Sequence, residues 1–124
     1  WLAGAGDFRR ENLPLDPILR QIPKRDCRIV LAHNPDTADA ARTEAADLFV
    51  SGHTHGGQVC IPGLGSPVLP VRNKNYSQGL KRSRRGEGVF ICRGIGWSIL
   101  PVRFLCPPEV ALLELVPAKS LEQA

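Results

Sequence analysis

The chain contains no methionine, one tyrosine and three histidines among its 124 residues. It starts at Trp1, which is expected of a processed chain or of part of a longer one. No apolar run approaches ~20 residues, so no transmembrane helix of ordinary length is expected in this stretch. None of the four cysteines, Cys27, Cys60, Cys92 and Cys106, has a CxxC partner. That argues against a structural four-cysteine zinc site. Three of them sit in the apolar runs "CRIVLA", "QVCIPG" and "VFICRG" and read as small buried hydrophobes. Aromatic residues are scarce too, and no ladder of arginines interleaves with them. The net charge of +4 is therefore read with restraint. Five of the twelve residues from Lys74 to Arg85, "KNYSQGLKRSRR", are basic. Such a run is a solvated loop first and a nucleic-acid or anionic-membrane patch second.

What is present has an order. At this length one domain is expected. Residues 1–16 read as irregular. "LPLDPILRQIP" predicts a short helix from Asp16, with Pro17 in its first turn and Pro23 after its end. "CRIVLAHN" predicts a strand buried on both faces. "PDTADAARTEAAD" predicts a helix with Pro35 and Asp36 at its front, and "DLFVSG" a second buried strand. Strand, helix and strand in that order predict parallel neighbours. After residue 56, glycine and proline punctuate short apolar pieces, which read as antiparallel strands and hairpins. "EVALLELV" is expected to be the last strand, and 118–124 a frayed tail after a domain of 1–117.

The three histidines carry the chemistry. His53 and His55 stand in "VSGHTHGGQV", and His33 ends "RIVLAH". If the chain is extended there, i and i+2 point to one side and both imidazoles face one point. If it curls, Gly52, Gly56 and Gly57 permit it. Imidazole suits zinc, iron, copper or nickel. Sites in α/β sheets form at strand ends, and His33 falls near His53 if the two predicted strands are neighbours. Three histidines can also complete a single zinc site with one open position.

"LAHNPD", "ADLFVSGHTHGGQ", "RGIG" and "PVRFLCPPEVALLEL" together resemble the calcineurin-like metallophosphoesterases, in their bacterial YkuE and YaeI phosphodiesterase branch. The resemblance runs from about Leu2 to Val116. It implies an α/β fold: part of a two-sheet β-sandwich flanked by helices, with its N-terminal half missing. It implies a centre of two divalent ions (Mn, Fe, Zn or Ni), with His33 and His53 on the second metal and His55 on the first. Two such ions hold a hydroxide and neutralise phosphate oxygens during in-line attack. The histidines would be neutral ligands, so activity is expected to fall as they protonate in acid.

The family's opening segments, DxH, GDxxD and GNHD or GNHE, do not occur upstream of His33. Asp7 in "GAGDF" lacks the second aspartate and reads as structural. The resemblance therefore implies the C-terminal half of an enzyme, inactive alone. Asn34, Gln58, Arg72, Lys74, Tyr76 and Arg93 are candidate substrate or supporting residues. Asn34 reads first as a helix cap, and Gln58 equally as a strand-face residue. The expected substrate is a small phosphoester or a lipid-linked one, with no specific nucleic acid. Membrane-associated and cytoplasmic locations in a bacterium both stay open. The rival readings are a mononuclear three-histidine zinc hydrolase and a basic binding module centred on Lys74 to Arg85.

Overall fold

The computed structural model describes residues 1–6, 15–40 and 44–116. Five short strands form one mixed sheet: β1 (Leu2–Ala5), β2 (Ile29–Ala32), β3 (Leu48–Ser51), β4 (Gly79–Arg82) and β5 (Gly88–Ile91). Their order is β1-β2-β3-β5-β4. All neighbours are parallel except β4 and β5, which form an antiparallel hairpin. The mixed sheet with few helices fits the α/β class, and the predicted parallel pairing of β2 and β3 is present.

One row of side chains explains the register. Ala3, Val30, Phe49 and Val89 lie opposite one another across four strands, and all four are buried. A slip of one residue would turn this whole row to the other face. Helix α1 (Leu15–Leu19) covers the row with Leu15 and Leu19, and Ile22, Ala38, Val71 and Tyr76 complete the core. Pro17 lies in the first turn of α1, as predicted.

Several expectations are corrected. Residues 2–5 are not irregular: β1 pairs with β2 over four residues. "LAGA" has no β-branched residue, so pairing and burial override weak propensity here. β2 is not buried on both faces; Leu31 is 43% exposed. The helix predicted after Asn34 is a single 3-10 turn, Pro35–Asp39. Its Asp36 and Asp39 carboxylates bind backbone N–H groups of other segments, at Arg72, Asn73 and Arg84, which ties the turn down. Residues 41–43 of that prediction, Asp7 and the tail 118–124 lie outside the described residues. "SPVLPV" forms no strand, and β5, after residue 56, runs parallel to β3.

"EVALLELV" is also corrected. Residues 107–116 form no strand, and Val110 and Leu112 are almost fully exposed. A strand needs a partner for its N–H and C=O groups. Of this segment's backbone, Glu109 donates to the Gly94 carbonyl, and no ladder continues from it.

The basic run divides between a loop and the edge strand. Lys74 Nζ donates to the carbonyls of Leu69 and Val71, each at 2.7 Å. Lys81 and Arg82 stand on edge strand β4, where charge discourages pairing with another chain. Arg84 pairs with Asp39 and Arg85 with Glu87. No helix among the described residues is long and apolar enough to cross a membrane.

Candidate metal centre

The ends of β2 and β3 place the first two histidines. The amide of Gly52 donates to the carbonyl of His33 at 3.2 Å, continuing the strand pairing by one step. Beyond it the chain curls rather than extends. His53, His55 and Gln58 have φ of 67°, 51° and 59°. Three non-glycine residues in the left-handed region within six positions are costly. Such backbone persists where surrounding contacts hold it, and it clusters at functional sites.

Those contacts are visible. Thr54, buried between the two histidines, donates its hydroxyl to the Ser77 carbonyl at 2.7 Å and accepts from the Gly56 amide. Gly56 has no room for a side chain: a Cβ would stand 2.6 Å from Cys106 Sγ. Cys106 lies under this turn, its Sγ 3.4 Å from the His55 carbonyl oxygen. Burial pushes its thiol pKa up, and neighbouring Cys60 adds to the rise.

His33 and His53 meet. His53 Nδ1 lies 3.0 Å from His33 Nε2, with the rings edge to face. His53 Nε2 lies 3.2 Å from the Pro70 carbonyl oxygen. A carbonyl only accepts, so Nε2 carries the proton and the Nδ1 lone pair faces His33. His55 turns elsewhere: its Nδ1 donates to the Gly96 carbonyl at 3.3 Å, leaving Nε2 with the lone pair. A carbonyl holding the far nitrogen of an imidazole is the usual support of a metal-ligating histidine.

Two of the three donors thus share a point and the third points from a second one, all on the wall of one cavity of about 600 Å³. Among the described residues no three His, Cys, Asp or Glu side chains converge on a single ion. The arrangement does not form the mononuclear three-histidine zinc site. It does fit part of a larger donor set: His55 Nε2 holds a lone pair, and His53 Nδ1 accepts from His33 Nε2–H, a proton that a shared cation would displace.

Of the candidate supporting residues, Gln58 lines the cavity. Its amide donates to the carbonyls of Leu100 and Val102 at 3.1 and 3.2 Å, and its oxygen accepts from the Ser98 amide. The other candidates have partners away from the histidines. Asn34 caps the 3-10 turn through the Asp36 amide at 2.9 Å. Tyr76 is buried and donates to Asp39, and burial pushes its phenol pKa up. Arg72 donates its backbone N–H to Asp36. Arg93 pairs with Glu109 at 3.5 Å.

The sequence alone pointed to no role for Thr54, Arg103 or Glu109, and to Asp36 only as a helix start. Asp36 holds the amides of Arg72 and Asn73, next to the Pro70 carbonyl that supports His53. Glu109 accepts from the Arg93 amide at 2.9 Å, and its own amide donates to Gly94. The Arg93 amide and side chain hold the Glu109 pKa below its ordinary value.

Most of the remaining cavity wall is apolar, with Thr54 and Ser98 the polar exceptions. Val68, Ile99, Leu100 and Val102 line it, and Ile99 is almost fully exposed.

No protein-family profile matches the chain, and no solved structure does. Named relatives do match. The chain is 46% identical over 89 residues to the phosphodiesterase YaeI of Escherichia coli, covering 72% of this chain and 32% of that protein. It is 32% identical over 114 residues to the metallophosphoesterase YkuE of Bacillus subtilis, covering 92% and 40%. It is 32% identical over 123 residues to the UDP-2,3-diacylglucosamine pyrophosphatase LpxG of Chlamydia trachomatis, covering 90% and 36%. The chain therefore spans between about a third and two fifths of these relatives' lengths. With the strand-end histidines and their carbonyl supports, these matches place it: the chain belongs to the metallophosphoesterase family, in the YaeI and YkuE type.

Proposed function

We propose that this chain is part of a metal-dependent phosphodiester hydrolase with two divalent ions, and that it supplies His33, His53 and His55 to them. The supporting observation is the pair of imidazole nitrogens 3.0 Å apart, with the far nitrogen of His53 held by a backbone carbonyl. His33 and His53 would share one ion and His55 Nε2 would face the other. When bound, the two ions supply an activated hydroxide and stabilise charge on the phosphate. The chain's own residues orient the ligands: Pro70 fixes the tautomer of His53, Gly96 that of His55, and Thr54 holds the turn between them. The apolar wall beside the histidines favours a diester with a hydrophobic or lipid-linked substituent, and the pyrophosphatase named for a diacylated sugar nucleotide is in keeping with it.

Carboxylate ligands would come from outside the described residues. Without them, two close cations repel with little to offset the repulsion. On its own this chain is therefore inactive. The test is hydrolysis of a bis-aryl phosphate with manganese by the full-length protein. His53→Ala should lose at least about 100-fold in kcat/KM, since metal stabilisation of the transition state is worth several kcal/mol. Turnover equal to wild type would remove the mechanism.

A further inference from the structure

Arg103 sits where three segments meet. Its guanidinium donates only to backbone carbonyls in its shortest contacts. Nη1 reaches the oxygens of His55 and Cys106 at 3.3 and 3.2 Å, and Nη2 those of Arg93 and Gly94 at 3.0 and 3.1 Å. Nε and Nη2 both reach the oxygen of Gly96, Nε at 3.1 Å. Among the described residues no carboxylate forms an ion pair with it; the six ion pairs there involve other cations. Five donors in a rigid fork suit this arrangement, and lysine cannot reproduce it.

The Gly96 oxygen is also the acceptor of His55 Nδ1–H. The same guanidinium therefore holds His55 twice, through its own carbonyl and through the carbonyl that binds its ring. We propose that Arg103 is a positioning residue for the reaction: it fixes the Nδ1–H tautomer and orientation of His55, so that Nε2 faces the metal. This role rests on the metallohydrolase reading of His55. The glycines of "RGIG" leave the 93–96 loop little rigidity of its own. An unclamped Gly96 carbonyl would let the ring rotate or take the other tautomer. Residues that orient a metal ligand in this way typically matter about 10- to 100-fold in metal affinity or activity.

The test reads the imidazoles without metal. Full-length protein labelled with 15N at histidine is stripped of metal, and ring nitrogens are assigned by long-range proton–nitrogen correlation. Wild type should show His55 as the Nδ1–H tautomer; an Nε2–H ring overturns the proposal without any variant. In Arg103→Ala, His55 should become a mixture of tautomers while the His33 and His53 signals stay in place. Guanidinium ion at a sub-denaturing concentration should restore it, and sodium at equal ionic strength should not. Arg103→Lys gives the same reading if Arg103→Ala does not hold its fold. An unchanged His55 ring, or equal disturbance of all three histidines, overturns the proposal. Loss of the tautomer with full turnover supports the role of Arg103 and counts instead against His55 as a ligand, so the two failures are distinguishable.

Discussion

At the level of single residues, the motif works because it is strained and then held. His53 and His55 occupy left-handed backbone, and Thr54 between them is tied to Ser77 and Gly56. The spacing of "GHTHGGQ" announced that something unusual happens here, and the flanking glycines allowed for a curl. Which way each ring turns was not legible. The deciding partners are Pro70 and Gly96, 17 and 41 residues away from the histidines they hold. Nothing local encodes them. Gly56 is tightly constrained. Its φ is +63°, and a Cβ there meets Cys106 Sγ and, at 2.9 Å, Arg93 Cγ. Gly56→Ala should cost about 1–3 kcal/mol through overpacking and backbone strain. Chemical denaturation of the two proteins measures it, and an unchanged midpoint would mean that the turn is slack.

Among the elements, β2, β3 and α1 were readable because each has a short apolar run with clear stops. β1 was not, since "LAGA" becomes a strand only by pairing with β2. The segment "EVALLELV" failed in the opposite direction: its pattern reads as a strand, yet it forms none. What that region does contribute is Glu109, which holds the 93–94 backbone beside Arg103. The Glu109 pKa is lowered in the folded chain from its ordinary 4.5, chiefly by the Arg93 amide. A lowered folded pKa means that the contribution is fully present above the ordinary value and is lost as pH falls through the folded one. The difference in Tm between wild type and Glu109→Gln should therefore be constant above about pH 4.5 and close on acidification. A difference that widens in acid would reverse the assignment.

For the molecule as a whole, one sheet face is covered and the other is not. Leu31 and Leu80 are well exposed on one face of the sheet, and the half-buried Val50 and Phe90 lie between them in register. β1 fills the edge beside β2, and the exposed apolar surface lies on the face. A row of this kind invites association. The isolated chain at micromolar concentration should self-associate and retain fewer than two tightly bound divalent ions. A monomer with a cooperative melt by sedimentation and calorimetry, or two retained ions by elemental analysis, would contradict this.

The full-length protein crystallised with manganese tests the account most directly, by anomalous scattering at the three histidines. The account predicts two metal peaks, one touching both His33 Nε2 and His53 Nδ1 and the other touching His55 Nε2. A single ion ligated by all three histidines, or no ion at any of them, would contradict it.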